Sequence, residues 1–109
     1  MAGSVNIQLG AGSSPSQKVK KIGTVTGITG TYVQLENDVN ACGVLVIHDS
    51  GSGTGLFVCV SDSAPANDLN SVDVGLTGAI YLHNVYPARV WVKRSTGASS
   101  ITAKYITYV

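Results

Sequence analysis

Charged side chains are scarce in this sequence. They make up 12% of its 109 residues, about half the usual share for a globular chain. Seven basic and six acidic groups nearly cancel, leaving a formal charge of +1. No field of one sign exists to gather a phosphate backbone or an anionic lipid surface. Lys18, Lys20 and Lys21 form the one basic cluster, and so few lysines read as a solvated face. Neither nucleic acid nor membrane is an expected partner.

Long apolar runs are also missing. The longest, Val44 to Ile47 and Leu56 to Val60, fall far short of the roughly 18 residues that a bilayer span requires. No basic stretch leads into an apolar segment at the N-terminus, as an export signal would. A soluble product without a visible export signal is the expectation.

Histidine and cysteine are as rare. His48 and His83 stand alone, and GxSxG, HExxH and CxxC are absent. Catalysis needs a nucleophile with an oriented base, or paired carboxylates in one cleft. Two isolated histidines and six scattered acids nominate no catalytic residue, and they cannot supply the histidine cluster of a metal-dependent cupin barrel. Cys42 and Cys59 lack the companions of a zinc site, and both are expected to be reduced, with Cys59 packing in the core. Asp49, Asp62, Asn67, Asp68, Asn70 and Asp73 could offer oxygen ligands to calcium, but the order of ligands in an EF-hand is missing. Loop solvation is the simpler reading. Gly51, Gly53 and Gly55 lie between two strand-like runs rather than before a helix, so a turn accounts for them better than a phosphate-binding loop. The expectation is a chain without enzyme activity, cofactor or metal.

What is plentiful is Gly, Ser, Thr and Val, and 44% of the residues are apolar. That balance favours strands and suffices for one core. Strand-like runs occur at Ile22 to Thr26, Tyr32 to Leu35, Val44 to His48, Leu56 to Val60, Val72 to Leu76, Ala79 to Leu82, Arg89 to Lys93 and Ile101 to Val109. Turn-forming residues separate them, and no stretch has helical periodicity. The predicted fold is all-β: a single antiparallel β-sandwich or jelly roll of about eight strands. Val44 to Ile47 and Leu56 to Val60 are apolar without alternation, as in strands covered on both faces. The short connector between them predicts an antiparallel hairpin, with Ile47 near Phe57, Leu45 near Cys59, and Phe57 in the core. In that register Cys42 and Cys59 stand about three positions apart, too far for a disulfide.

Two segments are candidate binding elements. Residues 1–16 read as an N-terminal arm ahead of a sandwich domain at 17–109. Val5, Ile7 and Leu9 alternate with polar residues, and Gly10 to Ser16 reads as a flexible linker. A strand so short does not hold itself in water but could dock on a partner subunit; a disordered tail is the equal alternative. In Arg89-Val90-Trp91-Val92-Lys93, period two places both valines inward and Arg89, Trp91 and Lys93 outward. A tryptophan between two cations is a common interface anchor, although the cationic stems could equally cover the indole on a free surface.

Tyr32-Val33-Gln34-Leu35, the run from Cys42 to His48 and Gly55-Leu56-Phe57-Val58 together resemble the small β-sandwich head proteins of tailed phages, of the capsid decoration or cement kind. Arg89 to Lys93, Ser95-Thr96-Gly97 and Ile101 to Tyr105 are similar in style to the closing strands of that group. The resemblance spans roughly residues 32–109. It implies a virion protein on the capsid surface, a homo-oligomer with a trimer among its forms, which clamps the major capsid protein or another virion protein. It brings no catalytic residues. A receptor- or carbohydrate-binding module of a phage tail or cell surface is the alternative.

Overall fold

The computed structural model describes residues 17–49, 54–76, 78–97 and 99–109. Eight strands follow one another: β1 (Val19–Ile28), β2 (Val33–Gln34), β3 (Gly43–His48), β4 (Leu56–Val60), β5 (Val72–Asp73), β6 (Ala79–His83), β7 (Val90–Arg94) and β8 (Ile101–Tyr108). They form two antiparallel four-stranded sheets with the orders β1-β8-β3-β6 and β2-β7-β4-β5. The all-β sandwich is as expected. Its pairing is nested: β1 with β8, β2 with β7, β3 with β6 and β4 with β5. A long hairpin rolled up in this way is a jelly roll.

One hairpin expectation is overturned. β3 pairs with β6 and β8, whereas β4 pairs with β5 and β7. The short connector therefore crosses between sheets. Both strands are central, as expected, but in different sheets. Alternation governs what each buries. Val44 and Val46 of β3 and Leu56 and Val58 of β4 face the core, and Phe57 is only half-buried on the outer side. Cys42 is exposed and Cys59 buried, both as free thiols. It is their position on opposite sheets, rather than an offset in one hairpin, that separates them.

The core is closed by Ile28, Val44, Val46, Ile101, Ala103 and Tyr105 from one sheet and Leu56, Val58, Val90 and Val92 from the other. β8 shows the driving pattern most cleanly, since Ile101, Ala103, Tyr105 and Thr107 are buried and the residues between them are not. Gly23 lies opposite Tyr105, and a Cβ there would stand 2.3 Å from the ring. The glycine leaves the space that the inward-facing phenol fills.

A candidate docking face

The two sheets finish their outer faces differently. On the β2-β7-β4-β5 sheet, the loop 61–71 folds back as a roof. Trp91 Nε1 donates to the Ser61 carbonyl at 3.0 Å, Arg89 pairs with Asp62 at 2.7 Å, and Lys93 with Asp68 at 2.9 Å. Lys93 also sits 5.3 Å from the Tyr32 ring centre and 5.6 Å from that of Phe57. The Tyr32 hydroxyl bonds Asp68 at 2.8 Å and lies against Ser71. The Lys93 ammonium first, then the Tyr32 hydroxyl, holds the Asp68 carboxyl below the usual carboxylate range. Burial pushes the Tyr32 phenol up.

Val90 and Val92 face inward and Trp91 and Lys93 outward, as period two requires, whereas Arg89, expected in the same strand, ends a 3-10 turn at Pro87–Arg89 just ahead of β7. All three side chains are engaged by the chain's own loop. Cys59 is buried, as expected, but it stands opposite Trp91 on this outer face and not in the cluster between the sheets. It joins Ser61, Pro65 and Asn67 in lining a shallow hollow under the roof.

The outer face of the β1-β8-β3-β6 sheet has no such cover among the described residues. Ile22 stands opposite Ile106, Ile106 opposite Leu45, and Leu45 opposite Tyr81. One apolar row thus crosses all four strands. Ile22 is 68% exposed and Tyr81 42%. On one side of it Ile47 and Ala79 continue the apolar surface on β3 and β6, beside Lys104 and Thr24 on β8 and β1, and on the other Tyr108 and Val19 continue it. Tyr81 meets Tyr108 edge-on at 5.8 Å and His83 at 6.2 Å. Sequence reading missed this row because its members lie in four strands, and only the register aligns them.

Gln17 is seated at one end of this face. Tyr81 donates a hydrogen bond to Gln17 Oε1 at 2.8 Å. Gly43 is buried although it faces outward, because the Gln17 amide and the Tyr81 and Tyr108 side chains crowd over it. Val5, Ile7 and Leu9 lie outside the described residues.

Most of the polar groups weighed for chemistry are held within the fold, although His48 Nε2 is buried without a hydrogen-bond partner among the described residues. His48 is buried, with Nδ1 2.7 Å from the Gly75 carbonyl oxygen, and His83 is exposed at the end of β6. Asp73 accepts from the Gly75 amide, Asn67 from the Leu69 amide, and Asp49 pairs with Lys104. Among the described residues no three His, Cys, Asp or Glu side chains gather as a metal site. Gly55, the described member of the glycine trio, donates its N–H to the Ser95 hydroxyl. Lys20 pairs with Asp38 and Lys21 with Glu36, which leaves little of the basic cluster free. No helix among the described residues is long and apolar enough to cross a membrane.

No protein-family model and no curated protein matches this sequence significantly.

Proposed function

We propose that the chain is a non-enzymatic structural protein of a phage virion, a decoration protein that stabilises the outside of a head by binding the major capsid protein or a neighbouring virion protein. The apolar row Ile22, Ile106, Leu45 and Tyr81, uncovered among the described residues, carries this reading. A small protein that roofs one sheet with its own loop and, among the described residues, leaves an apolar row open on the other has the anatomy of a binding module. Jelly rolls recur in capsid proteins, and the architecture suits the role. The arm starts from the same face at Gln17, so Val5, Ile7 and Leu9 are within reach of the same partner. Arg89, Trp91 and Lys93 act mainly by holding the roof. Repetition on a symmetric shell favours a homo-oligomer, a trimer included.

Co-sedimentation of the purified protein with intact phage heads tests this reading. The protein should pellet with heads and saturate at a fixed ratio to the major capsid protein. Absence from the pellet at micromolar concentration overturns the head assignment.

One observation favours a second reading. The exposed Tyr81, with Tyr108 and His83 beside it, forms a small aromatic platform of the kind that stacks on sugars. A carbohydrate-binding module would give reproducible hits on a glycan array that disappear with Tyr81→Ala.

A further inference from the structure

The open face needs a cover in the unassembled protein, and where the chain reaches this face indicates which. Gln17 fills the notch over Gly43, held by Tyr81. Lys18 exchanges both backbone hydrogen bonds with Val109 beside it. The sixteen preceding residues therefore start on the open face, between its two tyrosines. Among the described residues nothing comparable leads toward the roofed sheet.

We propose that Val5, Ile7 and Leu9 of the same chain dock across the row Ile106, Leu45 and Tyr81 as an extended segment lying on the face. Two features agree. First, the chemistry matches: Val5, Ile7 and Leu9 make one apolar side, and Asn6 and Gln8 make one polar side, as an extended segment lying on an apolar sheet and facing water requires. Second, the lengths match. Val5 to Leu9 spans roughly 13 Å when extended, and the row from Ile22 to Tyr81 crosses four strands about 4.8 Å apart, roughly 14 Å across.

Own chain is favoured over a second copy by the tether. The seven residues from Gly10 to Ser16 have a root-mean-square span of roughly 15 Å, close to the width of the face. A tether matched to its span gives an effective concentration near millimolar. A second copy would have to reach that concentration to compete. A virion partner then gains the face by displacing the segment, which is released to the same partner. The docking itself does not depend on the virion reading, and heads play no part in its test.

The test uses the full-length protein and two charge substitutions of opposite side, Ile7→Asp and Gln8→Asp, read by binding of an apolar-surface dye. Ile7→Asp should raise dye binding several-fold over the parent protein, and Gln8→Asp should leave it unchanged. Trp91 emission, which reports the roofed sheet, should be the same in all three and so separates undocking from unfolding. Nuclear Overhauser contacts between the Ile7 methyls and those of Leu45 or Ile106 should persist on dilution of a monomeric sample. Equal dye binding by the parent and Ile7→Asp overturns the proposal. Contacts that vanish on dilution overturn it in favour of a segment supplied by a second copy.

Discussion

At the scale of single residues, inward and outward neighbours on one strand should behave very differently. Leu56 is fully buried between the sheets, so Leu56→Ala should cost about 2–5 kcal/mol in denaturant melts. Phe57, one position on, lies outside the core beneath Lys93. Phe57→Ala should cost only about 1–2 kcal/mol, in proportion to its partial burial. A larger loss for Phe57 than for Leu56 would reverse the facing of β4. Gly23→Ala makes a third case. The added methyl meets the Tyr105 ring, and the ring cannot move without disturbing the core, so the expected loss is about 1–3 kcal/mol. Period two was legible in Arg89 to Lys93, where valines alternate with long polar side chains. It was illegible in Leu56 to Val60, because apolar residues occupy both faces there and the pattern carries no phase.

At the scale of elements, β3 and β4 show why one sequence signal misled. Both are continuously apolar, and the two have different causes. β4 is covered outside by the loop 61–71, whereas the outer residues of β3, Leu45 and Ile47, belong to the open face. Existence and number of strands were readable from alternation and turn residues. Pairing was not, because a short connector serves equally well for a hairpin or for a step between sheets. The roof was invisible in sequence for a similar reason: its ties, from Ser61 to Trp91 and Asp68 to Lys93, join residues 30 and 25 positions apart. Those ties give the roof an acid dependence. Asp68 is held below the usual carboxylate range by Lys93 and Tyr32, so its contribution is complete at neutral pH. It is lost as pH falls from the ordinary carboxylate range through the lowered folded value. Trp91 emission should therefore shift to the red below about pH 4, before the sandwich melts, and Asp68→Asn should show the shifted emission already at neutral pH. A Trp91 signal that stays constant until global unfolding would separate the roof from Asp68.

At the scale of the whole molecule, stability and binding should be separable, because they use opposite sides of the same sheet. The core draws on both sheets, which makes the sandwich one cooperative unit, while Ile22 projects from the outer side of β1 and is 68% exposed. Ile22→Lys removes little buried area and should change stability by no more than about 0.5 kcal/mol. Placed in the middle of an apolar contact, however, the same ammonium would have to be desolvated on binding. It should weaken association with heads at least ten-fold if that face is the docking surface. Leu56→Ala should do the reverse. Its loss of about 2–5 kcal/mol lowers the melting temperature by roughly 4–8 °C per kcal/mol for a domain of this size, yet head binding below the transition should stay at the parent level. Paired melting and co-sedimentation of the two variants provide the measurement. Head binding that survives Ile22→Lys unchanged would move the contact off this face, and a melting temperature that collapses with it would place Ile22 in the folded core.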